Sequence, residues 1–282
     1  MLLGVASPDV SLRVLLLDWS FDPLPIAGLV FGLALYVGGV RRLRRRGRTW
    51  PASRTTSFVA GSAVVAIAVL SGVSSYDETR FVVHVVQHLL LSMVAAVLFV
   101  LSAPITLALQ AGSRTTQHRI VRVLHSGPVH VLTHPVTVLA LFGGTLFVLY
   151  FTGLYDLSLR SQPVHELVHL HFVVVGSLFF WMVVGVDVVR NRLPYGACLL
   201  CVMATVPIHA FLGIALLSSR APLFAGHSLA DQRAGAGILW AAGDLVTLVV
   251  GGIVLAQWMA HEERVAARED RRADAANTAE LR

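Results

Sequence analysis

Residues 81–93 read Phe-Val-Val-His84-Val-Val-Gln87-His88-Leu-Leu-Leu-Ser-Met, and the apolar run continues to Val100-Leu101. A stretch of about 20 predominantly apolar residues is long enough to cross a bilayer as a helix. Imidazole side chains are costly inside a membrane and need a partner, so each one marks a candidate functional site. The stretch therefore predicts a membrane helix that carries functional histidines.

The whole chain has the composition of a polytopic membrane protein. Of its 282 residues 56% are hydrophobic and only 13% are charged, and the mean hydropathy is +0.73. Soluble domains contain roughly 45–50% apolar residues. We predict an all-α integral membrane protein, a seven-transmembrane helix bundle within residues 22–260. The predicted spans lie near 22–40, 56–73, 80–103, 134–152, 165–187, 196–217 and 236–259.

All 22 basic residues are arginine, and their distribution predicts the topology. Seventeen fall in alternate connections and in the tail, and five fall on the other side. By the positive-inside rule the N-terminus is expected outside and the C-terminus in the cytoplasm. Residues 1–21 are expected to form an extracytoplasmic N-terminal segment, and no cleavable signal peptide is expected. Residues 261–282 are expected to form a cytoplasmic charged tail. The net charge of +6 indicates attraction to anionic membrane lipid and not nucleic acid.

A second motif, His165-Glu-Leu-Val-His169-Leu-His171, begins the fifth span. Residues four apart lie on one face of a helix, a turn from each other. The predicted topology puts both histidine pairs in the outer leaflet, together with His209 of the sixth span. Imidazole suits Cu, Zn, Fe and Ni. We predict a membrane-embedded metal site, with copper favoured, whose ligands are His84, His88, His165, His169 and His209.

Neighbouring polar residues are candidates for supporting roles. Gln87 and Glu166 could fix the tautomer of a ligating imidazole, and Asp244 of the seventh span could lie beside the cation. His171 points about 160° away from His169, so it is expected to contact another helix or a second ion. Helix-to-helix hydrogen bonding is the alternative interpretation for all of these groups. His227, in the last outer loop, is expected to be solvated.

Several ordered motifs resemble the bacterial CtaG-type cytochrome c oxidase assembly proteins over roughly residues 18–260. They are Phe81–Met93 and Leu101-Ser-Ala-Pro104, Leu154-Tyr155, His165–Phe172, Gly185-Val-Asp187, Pro207-Ile-His209-Ala-Phe211-Leu-Gly213, and Asp231-Gln232 with Gly237 and Trp240. The resemblance implies a multi-span protein of the bacterial cell membrane that helps copper reach a haem-copper oxidase subunit. Some members carry a fused copper-import-type domain. None is evident in this sequence, so a separate copper donor is expected.

The favoured function is therefore a non-catalytic metallochaperone, or assembly factor. A membrane di-metal enzyme of the desaturase or hydroxylase type is the main alternative, although this chain has HxxxHxH where those enzymes carry HxxHH-like boxes. A bis-histidine haem protein and a passive structural partner of the oxidase also remain open. The pair Cys198 and Cys201 is expected to pack as small apolar residues.

Overall fold

A computed structural model of the protein describes residues 15, 18–187, 193–224 and 226–280, with side chains described as far as 272. The chain is 83% helical, and no strand occurs in these ranges. The helices are α1 (Pro23–Arg45), α2 (Ala52–Leu70), α3 (Gly72–Tyr76), α4 (Phe81–Leu89), α5 (Ala96–Leu101), α6 (Pro104–Ala111), α7 (Arg114–Leu124), α8 (Gly127–Leu132), α9 (Pro135–Phe151), α10 (Leu154–Arg160), α11 (Gln162–Val184), α12 (Tyr195–Leu217) and α13 (Leu229–Glu280). A π-helical segment, Leu90–Ala95, joins α4 to α5.

Six helical stretches in the described part of the chain are long and apolar enough to cross a membrane, which confirms a multi-span helical protein. The fourth predicted span differs from the others, because α9 and α10 form a pair bent by 73°. At the bend, the Thr152 hydroxyl donates to the carbonyl of Val148 (2.6 Å) and accepts from the amide of Leu154 (3.2 Å). The bent pair gives a seventh crossing if its two parts are counted as one span.

The two ends of the bundle are formed by different connections between the helices. We call the end that contains residues 71–80, 152–161, 218–224 and 226–228 the site end. The opposite end contains residues 46–51 and 102–134, and we call it the arginine end. At the arginine end, both carboxylate oxygens of Asp187 accept backbone amides of α6, from Ile105 (2.8 Å) and Thr106 (2.7 Å). Asp187 thus caps the start of α6 and has a structural role at this end.

The helices that carry the two histidine pairs are held together by a close backbone contact. A Cβ on Gly176 of α11 would lie only 2.0 Å from the carbonyl oxygen of Ser92 in the π-helical segment. A larger side chain would therefore separate α11 from the segment that follows His88. Such π-helical turns are rare and are frequently found at functional sites. Gly176 thus allows the spacing between the His84–His88 and His165–His169 pairs.

We predict that Gly176→Ala destabilises the protein by about 3 kcal/mol, since the added methyl group meets backbone and overpacking of a core costs about 1–3 kcal/mol or more. The measurement is thermal unfolding in mild detergent. Gly144→Ala is the matched control, because nothing lies within 4 Å of a Cβ at this position in α9. Equal unfolding temperatures for the two variants would contradict the close approach.

Candidate metal centre

The two predicted histidine pairs face each other across the interface between α4 and α11. The ring centroids of His84 and His88 are 4.0 Å apart, and those of His165 and His169 are 4.2 Å apart. Across the interface, His84 lies 6.2 Å from His165, and His88 lies 6.0 Å from His169. All four side chains are buried, with at most 4% of each residue exposed. The four imidazoles thus form one compact group, with neighbouring ring centroids 4.0–6.2 Å apart.

An aspartate that the sequence analysis did not single out completes this group. Asp77 is fully buried, and its Oδ2 lies 3.3 Å from Nε2 of His165. Asp77, His84 and His165 can each supply one ligand atom, and these atoms all lie within 4.8 Å of one another. Burial raises the pKa of the Asp77 carboxyl to about 7. A carboxyl in this position is stabilised in its charged form by a nearby cation.

The sequence contains a weak signal for Asp77. It lies in the short connection before His84, where it is followed at once by Glu78. Composition and spacing do not distinguish these two carboxylates. The fold does, because Asp77 is buried beside His165 while Glu78 is exposed.

Most of the polar atoms in this group have no hydrogen-bond partner. These atoms are both carboxylate oxygens of Asp77, both ring nitrogens of His84 and of His88, Nε2 of His165 and Nδ1 of His169. Asp77 and His165 are close, but their orientation does not satisfy hydrogen-bond geometry. A buried polar group without a partner costs about 1–3 kcal/mol. Several such groups side by side indicate a site that binds something polar or charged.

Gln87 lies among these groups and fixes the protonation of one imidazole. Its Nε2 donates to the carbonyl of Ala68 (2.9 Å), which leaves Oε1 to face Nε2 of His169 at 3.0 Å. Because an amide oxygen only accepts, His169 must carry its proton on Nε2. The lone pair of the neutral ring is then on Nδ1. Gln87 therefore contacts one of the predicted ligands, while its support of a metal-bound imidazole stays a prediction.

The other supporting candidates lie elsewhere. Glu166 is partly exposed and accepts a hydrogen bond from Gln162 (3.0 Å). His171 contacts another helix, with its Nε2 2.8 Å from the hydroxyl of Thr145 on α9. His209 is fully buried on α12, and its Nδ1 lies 3.8 Å from Asp244 on α13. The group formed by Asp77, His84 and His165 does not include His209.

A layer of residues at the site end covers His84. The Tyr155 ring packs against His84 with its centroid 4.7 Å away, and its hydroxyl lies 2.9 Å from Nε2 of His227. The expectation of a solvated His227 is wrong, because this residue is only 7% exposed and burial lowers its pKa. Asp231 lies 3.5 Å from His227 and accepts the first amide of α4, that of Phe81, at 2.6 Å. The last loop is therefore tied to the helix that carries His84.

The family model described as cytochrome c oxidase caa3 assembly factor (Caa3_CtaG) matches residues 34–261. The chain belongs to this family. This confirms the resemblance drawn from the histidine motifs.

Curated relatives of this Caa3_CtaG protein are found in mycobacteria. An uncharacterised protein of Mycobacterium leprae is 37% identical over 275 residues, which cover 91% of this chain and 42% of the relative. Uncharacterised proteins of Mycobacterium bovis and Mycobacterium tuberculosis are each 37% identical over 286 residues, covering 95% of this chain and 43% of the relative. The chain thus spans less than half the length of these relatives. No solved structure matches it.

Two buried residues of α4 in this Caa3_CtaG protein should respond oppositely to the same substitution. His84→Leu removes two ring nitrogens that lack partners, so we expect unchanged or higher stability in the presence of chelator. Gln87→Leu leaves the Ala68 carbonyl and His169 without their partner, so we expect a loss of about 1–3 kcal/mol.

Unfolding in detergent with excess chelator measures both effects, and each variant is the control for the other because both residues are fully buried. A large loss of stability in His84→Leu without metal would show that His84 is a structural residue.

Proposed function

We propose that this assembly factor binds copper at Asp77, His84 and His165 and delivers it as cargo to a haem-copper oxidase subunit. The observation that supports the proposal is the buried group of one carboxylate and two imidazoles whose ligand atoms lie within 4.8 Å of one another. His88 and His169 lie beside the group and provide further nitrogens. Family membership supports the assembly role.

The chemistry of the donor set is compatible with copper. Imidazole nitrogen binds copper, zinc, iron and nickel, and a carboxylate adds a harder oxygen ligand. These donors therefore fit a copper ion without excluding its neighbours in the periodic table. The oxidase named in the family description gives copper the preference, because a haem-copper oxidase needs that metal.

Binding of a cation would stabilise the polar groups of the site. Metal ligands must be deprotonated, as neutral imidazole or as carboxylate. His84 is neutral when either ring nitrogen lacks a proton, and both of its nitrogens are without hydrogen-bond partners. A bound cation would accept these lone pairs and balance the charge of Asp77. Binding would thereby relieve the desolvation cost of several buried groups at once.

Delivery needs access from one side of the membrane. Asp77 belongs to the connection at the site end, and the neighbouring Glu78 and Thr79 are exposed. We propose that this end faces the outside of a bacterial plasma membrane, since the arginines concentrate at the other end. A partner could then take the metal by ligand exchange, without any chemical change in the assembly factor.

We expect protein purified in mild detergent to bind copper. Asp77→Asn or His165→Ala should lower the copper affinity by about tenfold or more. Loss of a supporting residue around a metal site already costs about 10–100-fold in affinity, and loss of a ligand should cost at least as much. Metal analysis and competition with a chelator measure this. Asp22→Asn is the control, because Asp22 is a partly exposed helix cap at the start of α1, outside the proposed ligand group.

In cells, the same two ligand variants should lower the copper content and activity of the oxidase at normal abundance of the assembly factor. Oxidase with full copper content in both variants would contradict the proposed function. Stoichiometric iron or a Soret band in the purified protein would instead favour the di-metal enzyme or the haem protein.

The proposed orientation predicts which engineered thiols react with a membrane-impermeant reagent on intact cells. Ala221→Cys at the site end should be labelled, whereas Ser53→Cys at the arginine end should react only after lysis; both positions are exposed. The native Cys198 and Cys201 are buried and should stay silent. The reverse pattern would place the metal centre on the cytoplasmic side.

A further inference from the structure

A small, mostly apolar cavity lies one turn further from the site end, between α4 with its π-helical segment, α9, α11 and α12. Its wall includes His88, Ser92, Met93, Thr145, Phe172 and His209. The cavity volume is about 20 Å³. A cavity of roughly 10–15 Å³ measured in this way already holds one water molecule. The space is therefore large enough for a single ion or a single water molecule, and too small for an organic ligand.

The two histidines on this wall have all their ring nitrogens unused. His88 is 1% exposed and His209 is fully buried, and neither has a hydrogen-bond partner on Nδ1 or Nε2. Each therefore has at least one nitrogen with no assigned role. Two imidazoles on different helices, both without partners and both lining one ion-sized cavity, indicate a binding site for a cation.

The neighbouring carboxylate limits the charge of that cation. Asp244 Oδ1 lies 3.8 Å from Nδ1 of His209, and the Asp244 side chain is 26% exposed. A carboxylate near one nitrogen of a histidine favours a proton there and leaves the other nitrogen as the ligand. One carboxylate balances one positive charge, whereas a divalent ion would leave a net charge in an apolar environment at high cost.

One further wall residue, Met93, offers a soft ligand. Met93 lines the cavity and belongs to the π-helical segment. Thioether sulfur selects monovalent copper over zinc or magnesium. Monovalent copper also accepts a low coordination number, so that two imidazoles, with or without a thioether, complete its shell.

The backbone around His209 leaves room for this arrangement. A Cβ on Gly243 of α13 would lie 2.8 Å from Cγ and Nδ1 of His209. A larger residue would thus push the ring out of place. Gly243 and Asp244 together position the imidazole from the same turn of α13.

We propose that this cavity is a second metal site, which holds monovalent copper between His88 and His209 with Met93 beside it. The inference rests on the proposed function, because His88 adjoins both sites and the metal is the same. Copper would move between the sites by ligand exchange: its bonds to the Asp77 carboxylate oxygen and to nitrogen of His84 and His165 break, and bonds to nitrogen of His88 and His209 form. The copper is monovalent in both sites, so no electron is transferred. Four of the five predicted histidine ligands, His84, His165, His88 and His209, would then serve two sites in sequence.

The test is anaerobic titration of the detergent-purified protein with monovalent copper against a competing chelator. Wild type should bind a second equivalent of copper that His209→Ala does not bind. Asp77→Asn should lose the other equivalent and keep this one. His171→Ala is the matched control, since His171 has its partner in Thr145 and is not part of the cavity wall, and it should bind both equivalents.

The outcomes separate this inference from the proposed function. If the protein binds a single equivalent of copper that His209→Ala retains and Asp77→Asn loses, the proposed function stands and the second site is wrong. The cavity would then hold water. Loss of all copper in His209→Ala, with His171→Ala intact, would show one shared centre and also overturn it. No copper in wild type would overturn both proposals.

A second measurement keeps the inference testable if His209→Ala does not fold. X-ray absorption of wild type loaded with both equivalents should show nitrogen ligands and a sulfur contribution, and the sulfur should vanish in Met93→Leu, which conserves volume. Absence of sulfur together with unchanged affinity in Met93→Leu would remove Met93 from the site. If the second equivalent then also shows higher coordination with oxygen, the two-histidine site is wrong.

Discussion

The requirement that buried polar groups find partners governs this structure. Inside an apolar helix bundle bulk water is excluded, so each imidazole, amide or carboxylate needs a partner from the protein, from a ligand or from a buried water molecule. Most polar side chains of the bundle satisfy this requirement within the fold. Gln87 joins Ala68 to His169, Asp231 holds the first amide of α4, and Thr145 binds His171. By contrast, polar atoms of Asp77, His84 and His88 have no hydrogen-bond partner, and they mark the place where the bundle can bind a ligand.

The satisfied contacts also determine where the unpaired groups lie. The cap from Asp231 sets the start of α4, and the contact at Gly176 sets the distance from α11 to the segment after His88. The Tyr155 ring then closes the site from the loop side. Asp231, Gly176 and Tyr155 therefore position the site without offering it a free hydrogen-bond donor or acceptor. This division of roles lets helix packing stay rigid while the imidazoles keep free nitrogens.

The sequence predicts the architecture well because membrane helices are encoded locally. Apolar length identifies the spans, and the four-residue spacing places His84 with His88 and His165 with His169 on shared faces. The pairing of these two faces followed from a topology argument and agrees with the structure. Tertiary contacts explain the rest. The packing of loops onto the bundle buries Asp77, leaves Glu78 exposed and places His227 under Tyr155. The spacing of residues along the chain does not predict these positions.

The two groups of histidines differ in how firmly their rings are held, and this bears on whether a metal would be resident or in transit. In resident metal sites the second nitrogen of a ligating histidine is hydrogen-bonded, which fixes its orientation and raises its affinity. His169 has this support from Gln87, and His209 has Asp244 nearby. His84 and His88 have none, since neither nitrogen of either ring is bound. Because no hydrogen bond fixes a nitrogen of either ring, a metal bound to them would exchange ligands without breaking such a bond, as cargo must. A chain that kept copper permanently would be expected to lock the same two imidazoles.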